Sequence, residues 1–322
     1  MNIGFNSSFC LRIANLVLQE EAEKGSNSVL SPLSFQVLLS LVAAGSTGRT
    51  LEQFLLHLGS ENLDNLKLLS SKLVALLSVR RDDTNLAAGP LVSFANGTWV
   101  DRSLGLRFTF QSMAEEVFKT QVKEVDFANK ADEVRDEVNS WAESITGGLI
   151  KEILPLGSLN QDTALVLTNA LYFKGAWNRI FDTTRTKTMI FHLLNREEVR
   201  VPFMTSRFKF SYEFEASRIV KNLGLDLPFT NLAEFNEMVD PPCSNRLCIS
   251  KIFHKSFIEV NEEGTEAAAS TATTFVLFSA TFPTASFRAD HPFIFMVREE
   301  ASKVVFFTGA VLNPLEQMTS SS

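Results

Sequence analysis

IFHKSFIEVNEEGTEAAAST, residues 252–271, runs from an apolar strand straight into small residues, with no proline and no basic side chain after Lys255. The run continues as ATTFVLFSA to Ala280. As a helix it has a good first half and a poor second one. Thr271, Thr273, Thr274, Phe275 and Val276 all lose side-chain freedom in a helix. As a strand it is smooth and small for half its length. The stretch is acceptable in more than one conformation, and the fold depends on what surrounds it.

Upstream, MNIGFNSSFCLRIANLVLQEE places Phe9, Ile13, Val17 and Leu18 at helical spacing. In SVLSPLSFQVLLSLVAAGSTGRT, Ser31 is a cap and Pro32 a first-turn residue of an apolar helix closed by Gly45 and Gly48. LVSFANGTWVDRS predicts a strand ending in a turn. Residues 131–146 put Val134, Val138, Trp141 and Ile145 on one helix face, stopped by Gly147-Gly148. TALVLTNALYFKGAW is apolar almost throughout and suits a strand covered on both faces, with the Asn169 amide in need of partners. IFHLLN and EEVRVPFM are short segments joined at Asn195-Arg196, and FKFSYEF alternates as a half-buried strand does. EASRIVKNLGL is a short helix stopped at Gly224. HPFIFMV and KVVFFTGAVLNP close the chain as two very apolar strands. Helices dominate the first half and strands the second, without regular alternation, which predicts an α+β domain.

Composition narrows the function. The 322 residues are 45% hydrophobic with net charge -7, so the basic surface that nucleic acids require is missing. No run reaches membrane-spanning length. The first residues have neither the basic start nor the apolar core of an export signal, so an intracellular, cytoplasmic protein is expected. On that reading the sequons Asn6-Ser7-Ser8 and Asn96-Gly97-Thr98 carry no sugar. Cys10, Cys243 and Cys248 form neither a disulfide framework nor a metal spacing. Nucleophile elbow, phosphate loop, dinucleotide fingerprint and His-Glu-x-x-His are all missing. His57, His192, His254 and His291 are scattered. No cofactor, no metal and no enzymatic activity are expected; a hydrolase is disfavoured.

Five ordered motifs then carry a resemblance: NSVLSPLSFQVLLSLVAAGSTGRT, VNSWAESITGGLIKEILP, LVLTNALYFKGAW, IFHKSFIEVNEEGTEAAAST, and HPFIFMV with VVFFTGAVLNP. In order and approximate spacing the chain resembles the serpins, and NSWAESITGGLI and FHLLN are most similar to the plant branch. The resemblance covers about Ser28 to Pro314. It implies one serpin-like domain over 1–322, with a large mixed central sheet, helices, and an exposed reactive-centre loop at about 262–288. It implies a protease inhibitor acting as a suicide substrate: the cut loop inserts into the central sheet and drags the protease with it. The partner is a serine or cysteine protease.

The same resemblance assigns residues. Glu262, Glu263, Gly264, Thr265, Glu266, Ala267, Ala268 and Ala269 match the hinge. Thr265, Ala267, Ala269, Thr271 and Thr273 alternate onto one strand face and are all small, while Glu266 falls on the other. Gly264 permits the reversal. From Gly264 to Phe278 the chain extends to about 50 Å. Counting along the family's loop places the bait bond at Phe278-Ser279, with Phe275 and Phe282 as competing anchors. Phe278 suits a chymotrypsin-like pocket, and Leu277 before it suits papain-like proteases. Ser31, Ser34, Asn169 and His254 match the polar cluster that gates sheet opening in serpins. Trp177 matches the aromatic residue where insertion starts.

The pattern also breaks. VPFMTS joins RFKFSYEF almost directly at Ser206/Arg207, where a typical serpin has several strands and two small helices. Their absence is expected to leave the second sheet region incomplete. Phe293, Phe295, Val297, Val305 and Phe307 would be poorly covered, and the uncovered strands open to self-association. The alternative to inhibition is a non-inhibitory or folding-defective variant that acts as a protease substrate or interaction protein.

Overall fold

Phe9, Ile13 and Val17 are buried on one face of the first helix, α1 (Ser8–Lys24), as their spacing requires, while Leu18 is only partly covered. The computed structural model describes residues 8–77, 91–175, 186–203, 208–241, 247–260 and 288–316. After β1 (Ser28–Leu30) comes α2 (Pro32–Ala44), buried around its whole circumference. Ser31 caps it, its hydroxyl accepting the Ser34 N–H at 3.2 Å, and Pro32 stands in the first turn, where no donor is needed. Gly45 ends this helix, but Gly48 does not: it opens α3 (Gly48–Leu58). The reason is local. Gly48 has φ +51°, and a Cβ there would meet the Glu234 carboxylate at 2.5 Å. That carboxylate caps α3 by accepting the Arg49 N–H at 2.7 Å.

The chain continues through α4 (Leu63–Leu77), β2 (Leu91–Asp101), α5 (Phe108–Val117), β3 (Gln121–Val125) and α6 (Phe127–Ile145). In α6, Val134 and Val138 face the core and Trp141 is half-buried, edge-on to Trp99 at 5.5 Å. Ile145 does not join them: the buried stripe runs on through Ala142, and Ile145, the last helical residue, is 45% exposed. Then follow β4 (Leu165–Gly175), the hairpin of β5 (Lys187–His192) and β6 (Glu198–Phe203), β7 (Phe208–Glu215), α7 (Ser217–Asn222), β8 (Lys251–Val260), β9 (Phe293–Arg298) and β10 (Val305–Val311).

Among the described residues these strands form three sheets. The large one has the order β3-β2-β4-β8-β7 and is mixed: β2 and β4 are antiparallel, β4 and β8 parallel, β8 and β7 antiparallel. β5 and β6 pair alone, and β1-β10-β9 form the third sheet. The main apolar cluster lies between α1, α2, α3, α4 and the strands, and a second one sits under α6 on the other face of the large sheet.

One expectation about cover fails. β10 is buried along its whole length, with Val305 at 7% and Phe307 fully buried against Phe173. It is the middle strand of its sheet, flanked by β1 and β9, and α1 and α2 pack on it. Phe293, Phe295 and Val297 also turn inward and pack on the main cluster. The open surface is the opposite face of β9, where Ile294 is 71% and Met296 54% exposed.

Candidate functional site

β4 and β8 lie side by side in the centre of the large sheet, paired from Val166 opposite Lys251 to Gly175 opposite Val260. Asn169 is opposite His254 in this register, and Asn96 of β2 is opposite Asn169 on the other side. All three side chains are buried, directly over the N-terminus of α2. Asn169 and His254 lie at mid-strand on the faces that turn Leu167, Leu171 and Ile252 into the main apolar cluster. An isolated polar side chain there would cost several kcal/mol, so it has to find another.

The hydrogen bonds fix the state of His254. The Ser31 backbone N–H donates to Nε2 at 3.1 Å. A backbone amide can only donate, so Nε2 carries no proton. Nδ1 therefore bears the hydrogen and donates to Asn169 Oδ1 at 2.9 Å. Asn169 Nδ2 in turn donates to Asn96 Oδ1. The chain of bonds thus runs from α2 across β8 and β4 to β2. Phe35 and Phe214 wall the imidazole, with ring centroids at 4.8 and 5.7 Å. Burial in this apolar box holds His254 neutral, its pKa pushed down to about 3. A proton on Nε2 would break the bond to Ser31 and set a cation against the positive end of α2.

Ser34 sits beside the cluster but outside the relay. Its N–H goes to the Ser31 hydroxyl, and its own Oγ has no hydrogen-bond partner among the described residues. Asn96 and Ser256 are additions that the sequence did not reveal. The Ser256 hydroxyl donates to Val29 O at 2.6 Å and ties β8 to β1. Asn96 was hidden inside a formal sequon; its burial at 1% makes it a lattice point of this network.

The other face of β8 is held by lysines. Lys255, only 8% exposed, donates to Glu213 Oε2 of β7 at 2.6 Å and to the Glu152 carbonyl. Lys251 donates to the Ser158 carbonyl at 2.6 Å. Both carbonyls belong to the segment between α6 and β4, which these lysines strap to β8. Burial pushes the Glu213 carboxyl up, and Lys255 partly offsets this. β8 cannot leave β4 without loosening bonds on both faces.

Beyond Val260 lie the hinge residues Glu262 to Ala269 and the bait bond Phe278-Ser279, which fall outside the described residues, as do Trp177 and the Ser206/Arg207 junction. The chain is described again from Arg288. There Asp290 O accepts the His192 N–H at 2.9 Å, and the His291 and His192 rings stack at 4.7 Å. The described chain thus stops at Val260, the end of β8, and resumes beside β5.

This arrangement matches known proteins. The family model described as Serpin (serine protease inhibitor) matches residues 5–207 and 206–314. The chain belongs to the serpin family. Serpin-Z1C of Triticum aestivum is 38% identical, covering 98% of this chain and 97% of that one. Serpin-ZXA of Oryza sativa subsp. japonica is 40% identical and covers 98% of each. Among solved structures, that of Arabidopsis AtSerpin1 in its native stressed conformation aligns with TM-score 0.84 at 34% identity, over 98% of this chain and all of that one. Uncleaved ovalbumin, at 19% identity and TM-score 0.80, shares the fold. This serpin is short for its kind: the alignment to Serpin-Z1C spans 388 positions, 66 more than the 322 residues here. The family match divides at residues 206–207, between the end of β6 and the start of β7.

Proposed function

We propose that this serpin inhibits a chymotrypsin-like or papain-like protease as a suicide substrate, with cleavage at Phe278-Ser279 followed by insertion of the loop between β4 and β8. The observation that carries the proposal is the parallel β4–β8 pair inside the large sheet, between β2 and β7, with the sequence running from the end of β8 into the small-residue segment. A strand that reverses after Val260 runs antiparallel to both neighbours. It replaces one parallel pairing, slightly weaker per residue, by two antiparallel ones. The small set Thr265, Ala267, Ala269, Thr271 and Thr273 keeps the buried face of such a strand free of bulk and charge.

In this reading the His254–Asn169–Asn96 relay and the Lys251 and Lys255 straps are the gate. They hold the seam shut until the loop is cut and have no catalytic role. The chain is consumed with its target. Incubation with a chymotrypsin-like and a papain-like protease tests this. An SDS-stable complex, with a released C-terminal peptide beginning at Ser279, is the expected result. Cleavage with no complex refutes inhibition.

That outcome would favour the second reading, a serpin that serves as substrate or interaction protein. The break at residues 206–207 and the exposed face of β9 support it. Trapping needs a kinetically held state, and a chain lacking part of its sheets has less structure with which to hold one.

A further inference from the structure

A strand entering between β4 and β8 meets the seam first at the end where the chain leaves β8, beside Gly175 and Val260. The side chains that bridge the seam can be followed inward from there. On the face of the main apolar cluster, Phe173 of β4 turns to Phe307 of β10, with ring centroids 5.7 Å apart. The Ser256 hydroxyl of β8 donates to Val29 O of β1. Neither of these contacts joins β4 to β8. On the α6 face the seam is bridged. Tyr172 of β4 lies directly opposite Phe257 of β8, and their rings meet at 5.3 Å with 35° between the planes. Tyr172 is buried and Phe257 half-buried. Among the described residues no other ring pair links these two strands. The Lys255 strap lies deeper along the same face, and the Asn169–His254 bond lies deeper on the opposite one.

We propose that Tyr172 and Phe257 are positioning residues that form the first latch of the seam and set the rate at which a strand begins to enter. Their role presupposes the insertion between β4 and β8 proposed above. Neighbouring strands lie about 4.8 Å apart, so an inserted strand moves β4 and β8 to roughly 10 Å from each other. A residue of that strand then stands between the two rings. The ring contact therefore belongs to the closed sheet and is given up as the seam opens. An interaction that is present in the starting state and lost on the way to the barrier slows the step. The relay and the lysine straps then resist opening further in.

The test is annealing of a synthetic peptide with the sequence of residues 265–278 to the uncut full chain, with no protease present. Tyr172→Leu and Phe257→Leu keep apolar bulk and remove the ring contact. Either one should speed annealing roughly three- to tenfold, the range that an aromatic pair's contribution converts to. The double variant should be no faster than the singles, because one contact is lost only once. Phe307→Leu is the control. It breaks the Phe173–Phe307 contact, which does not cross the seam, and should lower the urea midpoint without changing the annealing rate. Equal rates for the wild type and the seam variants overturn the latch. So does a double variant whose acceleration is the product of the singles, or a Phe307→Leu chain that anneals as fast as the seam variants. A peptide that anneals to none of these proteins contradicts insertion itself, and the latch with it; annealing to all of them at one rate contradicts the latch alone.

Discussion

Acid should loosen the seam before it unfolds the rest of the protein, and His254 is the reason. In the folded chain the imidazole is neutral, with a pKa of about 3; in the unfolded chain it returns to the ordinary value of 6.5. The unfolded state therefore binds a proton that the folded state refuses. Stability from this group is complete above about pH 6.5 and falls steadily below it, until both states are protonated near pH 3. Each pH unit in that window costs about 1.4 kcal/mol, so the loss at about pH 4.5 is roughly 3 kcal/mol. That is a large share of the roughly 5–15 kcal/mol of a typical domain. Carboxylates titrate in the same region and must be subtracted. His254→Gln serves as the reference, because its amide keeps an acceptor for Ser31 and a donor for Asn169. Urea midpoints or unfolding rates of both proteins between about pH 7.5 and about pH 4.5 give the difference. The wild type should lose about 2–3 kcal/mol more than the variant. Parallel pH profiles would refute the assigned protonation state and with it the relay.

Three further outcomes are expected. Lys255→Met leaves the partly buried Glu213 carboxylate without its cation and should cost about 2 kcal/mol at neutral pH; adding Glu213→Met should recover most of this in urea titrations. Gly97→Ala should destabilise by roughly 1–3 kcal/mol, because its Cβ would stand 2.7 Å from Thr168 Oγ1 and 3.0 Å from both Trp141 and Trp99. Thr265→Arg should abolish covalent complex formation on a gel while leaving loop cleavage intact, since insertion would bury an unpaired charge.

Much of this architecture is local and therefore readable. Ser31 and Pro32 announce the start of α2 by the chemistry of a helix cap, and the period of Phe9, Ile13 and Val17 announces α1. An amide in an apolar strand needs partners, so Asn169 stands out by itself, whereas His254 is marked only by the family resemblance, and only the register of β4 against β8 brings the two face to face. Asn96 was out of reach because its role depends on β2 pairing with β4, a contact spanning 73 residues of sequence. Gly48 and Ile145 are not legible locally, because a glycine after a helix can equally well begin the next one, and a helix stripe says nothing about where its last turn leaves the sheet. The cover of β10 is not legible in the sequence for a similar reason. Apolarity shows that a strand must be covered, and which elements cover it is decided by packing with α1, α2 and β1.

The most direct test of loop insertion compares the chain before and after a single cut in the loop. Limited proteolysis at Phe278-Ser279, with the fragments kept together, is followed by urea unfolding of cut and uncut protein. Insertion between β4 and β8 adds a strand to the centre of the large sheet, so the midpoint should rise well above that of the uncut chain. An unchanged or lower midpoint after cleavage would mean that the loop stays outside the sheet, and would contradict the trapping mechanism.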